Sequence, residues 1–99
     1  MFGLFKNKVK EALKNGAAII DVRTPHEFDN GKAPGSINIP VDRISTNVER
    51  IRSMRKPVIL VCSSGARSGQ AKDILRSAGL QEVYNGGSWE SVLRMINRL

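Results

Sequence analysis

The residue best equipped for chemistry is Cys62, the only cysteine in the chain, in the run Cys62-Ser-Ser-Gly-Ala-Arg-Ser68. The most apolar run in the sequence, Val58-Ile-Leu-Val61, leads into it and reads as a central strand. A helical pattern follows. In open α/β folds, ligand crevices lie at the carboxyl ends of strands, where Cys62 falls. Small and glycine residues there let the loop curl until successive N–H groups point at one centre, a nest for an anion. The following helix adds partial positive charge at its N-terminus, and Arg67 adds a full one. A thiol so placed should ionise more readily than a free cysteine, whose pKa is about 8.5. Such a thiolate suits nucleophilic attack on an anionic substrate. The competing reading is a buried structural cysteine. The hydrophilic loop argues against burial.

Other chemistries find little support. One cysteine makes neither an internal disulfide nor a cysteine-rich zinc site, and the lone histidine, His26, adds little. No metal and no other cofactor is expected. A single free thiol points to a reducing compartment or to a thiol kept for reaction. The start, Met1 to Phe5, is apolar but short, and Lys6, Lys8 and Lys10 follow at once, unlike a signal peptide. No run approaches the roughly 20 apolar residues that span a bilayer. A cytoplasmic location is expected, with no membrane partner.

The elements that must position Cys62 can be placed by periodicity. Phe5, Val9, Ala12 and Leu13 predict a helix over residues 4–15, with Gly16 as its C-terminal cap. Residues 17–22 predict a buried strand. Thr24-Pro-His-Glu27 is a capping box opening a short helix that Gly31 ends. Ile37 and Ile39 mark a short strand. Ile44, Val48 and Ile51 predict a helix over residues 43–55. Ala71, Ile74, Leu75 and Ala78 mark the helix after the Cys62 loop, capped by Gly79. Residues 82–84 predict a short strand and Asn85-Gly-Gly87 a turn. Ser88 caps a last helix with Trp89, Val92, Leu93 and Ile96 on one face. Alternating strands and helices in 99 residues predict one α/β domain with a largely parallel sheet covered on both faces.

At these residues the chain resembles the rhodanese-like domain family along nearly its whole length. Asp21-Val-Arg23 with Glu27-Phe28 is similar to the family's first signature, and Gly31 with Pro34 to Pro40 to its second. In the second, Gly31-Lys32-Ala33 stands where the family usually has Gly-His-Ile. Val58 through Ser68 resembles the active-site loop. Gly79-Leu80, Val83-Tyr84, Gly86-Gly87 and Trp89 resemble the closing block. The resemblance implies a rhodanese-like fold, a parallel sheet of five strands flanked by helices, or four if the N-terminal strand near Phe2 to Leu4 is missing. It implies that Cys62 takes a sulfane sulfur from a donor such as thiosulfate and passes it, as a persulfide, to cyanide or a thiol, with a protein among the possible acceptors. The backbone of Ser63, Ser64, Gly65, Ala66, Arg67 and Ser68 would hold the persulfide, and Arg67 the donor's anionic end. Asp21, Arg23 and Glu27 would be mainly structural. The protein is expected to act as a monomer.

Two other functions fit less well or differ in class. Cysteine phosphatases and arsenate reductases of related folds place five residues between cysteine and arginine. Here four separate Cys62 from Arg67, a smaller cradle better suited to a sulfur-sized group than to a tetrahedral phosphate. Alternatively the chain is a noncatalytic persulfide carrier or sulfur-relay module. The 16 Lys and Arg against nine Asp and Glu, a net charge of +7, attract anions in general. They form no dense block and lack the interleaved aromatics of a base-stacking surface, so no nucleic-acid partner is expected.

Overall fold

The computed structural model describes residues 2–99, with side chains from residue 7 onward. Phe2–Lys14 forms helix α1, which precedes strand β1, Ala18–Asp21. Helix α2 is Pro25–Asp29 and strand β2 is Ile37–Asn38. Two 3₁₀ turns, Val41–Arg43 and Ser45–Asn47, lead into helix α3, Val48–Ser53. Strand β3, Val58–Cys62, precedes helix α4, Ala66–Ser77, and strand β4, Val83–Ser88, precedes helix α5, Trp89–Asn97. The four described strands pair in parallel in the order β2-β1-β3-β4. This is the expected α/β architecture.

Strand alternation sorts the core into two layers. On one face Ile20, Val22, Val58, Leu60 and Cys62 pack with Ile44, Ile51, Ala71 and Leu75 from the 3₁₀ segment, α3 and α4. On the other, Ile19, Ile59 and Val61 pack with Val9 and Ala12 of α1 and Val92 of α5. All five residues of β3 are buried, as a central parallel strand with both faces covered requires. Each fully buried Ile or Leu here contributes about 1.5–3 kcal/mol relative to exposure.

Of the two strand counts left open, the structure has four: no N-terminal strand occurs among the described residues, because the segment from Phe2 is continuous with the helix that lays Val9 and Ala12 on the sheet. Phe5, read as part of that helix's apolar face, lies outside the described side chains. Three expectations are corrected. The helix expected over residues 43–55 is broken: Ile44 and Ile51 still reach the core, but through two 3₁₀ turns and a single short α-helix. The turn expected at Asn85-Gly-Gly87 is part of β4. There the ladder shifts, so that Leu60 faces Asn85 while Val61 faces Gly87, leaving Gly86 as a bulge. A Cβ on Gly86 would lie 2.8 Å from Ile59 and 2.9 Å from Val92, so only glycine fits under α5. Finally, the small-residue loop is shorter than expected, since α4 already begins at Ala66.

Candidate active site

The capping box places the first element of the site. Thr24 Oγ1 accepts the Glu27 N–H at 3.2 Å, and Glu27 Oε1 accepts the Thr24 N–H at 3.1 Å. This fixes α2 beside the ends of β1 and β3. Below it, Asp21 and Arg23 form a buried ion pair, Nη2 to Oδ2 at 2.7 Å and Nε to Oδ1 at 3.0 Å. Arg23 also donates to the carbonyls of Gly31 (2.6 Å) and Glu27 (3.2 Å), and its guanidinium lies over the Trp89 ring at 5.1 Å. The pair thus ties β1, α2, the Gly31 loop and α5 together. That is the buttressing role expected for Asp21 and Arg23.

Cys62 is the last residue of β3, facing Ser88 across the ladder, and only 1% of its surface is exposed. The expectation that a hydrophilic loop would leave it unburied is corrected. The residue belongs to the strand, and alternation turns its side chain, with those of Val58 and Leu60, under α4. Its sulfur nevertheless meets polar groups. The Gly65 N–H donates to Cys62 Sγ at 3.0 Å, and Ser68 Oγ lies 3.5 Å away. Gly65 reaches this position with a φ of +104°, a left-handed conformation costly for residues with a Cβ. Burial pushes the thiol pKa up, but the Ser68 hydroxyl and the N–H groups of Ser68, Gly65 and Ser64 outweigh it, and the net direction is down.

The remaining loop residues divide. Ser68 is buried against the sulfur, and Gly65 is half-buried. Ser64 and Ala66 are exposed. The Ser63 hydroxyl faces away from the sulfur, donating to Glu27 Oε2 at 3.2 Å and accepting from Arg67 Nη2 at 3.0 Å. Arg67 is docked on the Glu27 carboxylate by two bonds, Nη1 to Oε1 at 2.7 Å and Nη2 to Oε2 at 3.0 Å. This pairing holds the Glu27 carboxyl well below the usual carboxylate range, with help from the Thr24 N–H. Glu27 also raises the Arg67 pKa, and the nearby Cys62 charge adds to that.

Two residues matter more here than their sequence context suggested. Glu27 joins the active loop directly. Asn85 reaches the loop from β4: its Oδ1 accepts from Ser68 Oγ (2.6 Å) and the Gly87 N–H (2.9 Å), and its Nδ2 donates to the Gly65 carbonyl (3.0 Å). Its signal was the two-residue step from Val83, which puts it on the Cys62 face of the sheet. Read as part of a turn, Asn85 lost that meaning. No cluster of three or more metal-ligating side chains occurs among the described residues, and none of their helices is long and apolar enough to cross a membrane.

Comparison with known proteins agrees with this geometry. The family model of the rhodanese-like domain matches residues 5–93. An uncharacterized protein, YqhL, of Bacillus subtilis is 39% identical over 83% of this chain and 67% of its own length. Thiosulfate sulfurtransferase PspE of Escherichia coli is 32% identical over 74% of this chain and 71% of its own. A solved rhodanese with anions from E. coli superposes with a TM-score of 0.69 at 32% identity, covering 76% of this chain and 89% of that one. Its core layers, its cysteine at the end of a central parallel strand and these matches together place the chain in the rhodanese-like domain family.

Proposed function

We propose that this protein is a thiosulfate sulfurtransferase working through a persulfide on Cys62. The Cys62 thiolate attacks the outer sulfur of a small anionic donor such as thiosulfate. A new S–S bond forms, the donor's S–S bond breaks, and sulfite leaves with the electron pair. Cyanide or an acceptor thiolate, free or on a protein, then attacks the terminal sulfur and releases the Cys62 thiolate. No step needs a cofactor. The observation that carries the reading is the sulfur's setting, with the Gly65 N–H at 3.0 Å and Ser68 at 3.5 Å beside the first turn of α4. The Gly65 N–H, and the Ser68 hydroxyl once it turns toward the sulfur, favour a negative sulfur, whether thiolate or persulfide. The field of Arg67, moderated by Glu27, attracts the donor's anionic end. The activity named for PspE is of this class. We also assign residues 1–99 to one domain, acting as a monomer in the cytoplasm, where a lone thiol stays reduced.

The near-complete burial of Cys62 favours a second reading, a carrier that loads sulfur but releases it only to a docked partner. Mass spectrometry after incubation with thiosulfate tests both. One added sulfur on wild type, and none on a folded Cys62→Ser, supports the persulfide. Loading without turnover when cyanide is added identifies the carrier. Wild type that takes up no sulfur, or a Cys62→Ser variant that keeps activity, overturns the proposal.

A further inference from the structure

Asn85 stands outside the loop yet holds it at two points, Ser68 and Gly65, and a third bond, from Gly87 on its own strand, helps to fix its orientation. The Gly87 N–H can only donate and the Gly65 carbonyl can only accept. Oδ1 therefore faces Gly87 and Ser68, and Nδ2 faces Gly65, as observed. The Ser68 hydroxyl has one proton. At 2.6 Å from Oδ1 it gives that proton to Asn85, leaving only lone pairs to face Cys62 Sγ at 3.5 Å. A protonated Cys62 fits this arrangement, because its S–H can donate to Ser68. A thiolate does not. It needs the Ser68 proton for itself, and the hydroxyl must rotate away from Asn85 to supply it.

We propose that Asn85 is a positioning residue for Cys62: it competes with the sulfur for the Ser68 hydroxyl proton and so governs how readily the sulfur becomes a thiolate. The inference rests on Cys62 being the reacting group. Lys8, Lys72 and Arg76 line a small cavity with Asn85 and add positive charge that the Asn85 variants leave in place, while two acid–base pairs flank the loop. Arg67 on α4 holds Glu27 on α2, and Asp21 at the end of β1 holds Arg23. On β4, Tyr84 packs on the opposite face. Asn85 and Ser68 are thus the neutral pair through which β4 reaches the sulfur.

The test is the pH dependence of Cys62 alkylation by iodoacetamide in wild type, Asn85→Ala and Asn85→Asp, with Asn85→Ala repeated in a Ser68→Ala background. Asn85→Ala frees the Ser68 proton, and its midpoint should fall by about half a unit to one unit, the size of one neutral hydrogen bond. That shift should vanish in the Ser68→Ala background. Asn85→Asp keeps the acceptor and adds a negative charge, so its midpoint should rise. It also carries the test if the alanine variant does not fold. An equal shift with and without Ser68 would mean that Asn85 acts only by shaping the loop through Gly65. That result, an unmoved midpoint, or a fall in Asn85→Asp overturns the proposal. Alkylation needs no sulfur donor, so failure of wild type to load sulfur would sink the proposed function while leaving this result readable.

Discussion

Glu27 and Arg67 lie 40 positions apart and meet in a two-pronged ion pair at 2.7 and 3.0 Å, each about one-third exposed. The arginine expected to attract a donor is thus already paired with a carboxylate. The carboxylate that does this is also the acceptor of the α2 capping box. One side chain links the start of a helix to the charge over the active loop.

Substitutions at the two partners should therefore act in opposite directions. Arg67→Ala removes a charge-assisted contact and leaves Glu27 unopposed near the loop. Its KM for thiosulfate should rise on the order of tenfold or more, and less for an uncharged sulfur donor. Glu27→Gln keeps an acceptor but frees the arginine's charge. Its KM for thiosulfate should fall by about two- to fivefold, the range open to a part-exposed pair. Steady-state kinetics with both donors decide the matter. Equal losses for the two donors in Arg67→Ala would assign Arg67 to loop shape alone.

Cys62 should titrate below the free-cysteine value of about 8.5. The hydrogen bonds from Ser68, Gly65 and Ser64 favour the thiolate more than burial opposes it. The wild-type alkylation profile measures this directly. A midpoint at or above the free value contradicts the electrostatic argument.

The ion pair also predicts an acid sensitivity. Glu27 has a lowered folded pKa, so its contribution to stability is fully present above the ordinary carboxylate value. It is lost as pH falls below that value, where the unfolded chain takes up a proton and the folded one resists. Between about pH 5 and pH 3, wild type should lose more Tm than Glu27→Gln. Thermal melts across that range provide the check, and parallel curves for the two proteins would argue against it.

Gly86→Ala should destabilise the fold by about 1–3 kcal/mol through overpacking. The new methyl would meet Ile59, Val92 and Val61 at 2.8, 2.9 and 3.1 Å. Urea denaturation measures the cost. A neutral substitution would mean that α5 yields more easily than its packing suggests.

What could be read from the sequence was whatever depends on local pattern. The capping box at Thr24, the buried run before Cys62 and the Ser88 cap of α5 are set by neighbouring residues, and each is found as expected. The polar residues after Cys62 point to exposure because they mask the strand alternation that governs its burial. The break in the helix after Pro40 leaves no mark in the pattern, because Ile44 and Ile51 reach the core whether 3₁₀ or α turns carry them. Asn85 and the Glu27–Arg67 pair depend on contacts across the fold, between α2 and α4 and between β4 and the loop. Strand alternation from Val83 gives the face on which Asn85 lies, but no one-dimensional pattern reports its bonds to the loop or the pairing of Glu27 with Arg67. The bulge at Gly86 is of the same kind: a Gly-Gly pair reads as a turn unless the side chains above it are known.

The placement of Cys62 at the end of β3, rather than within the loop, ties its chemistry to a matter of odd and even. Val58, Leu60 and Cys62 point one way, while Ile59 and Val61 point the other. Inserting or deleting a single residue within β3 would swing the sulfur through the sheet, from the layer of α4 to the layer of α1 and α5. There it would find neither the Gly65 N–H nor Ser68, even with every loop residue intact. The count of residues in a wholly apolar strand is therefore as much a condition of reactivity as the polar groups themselves.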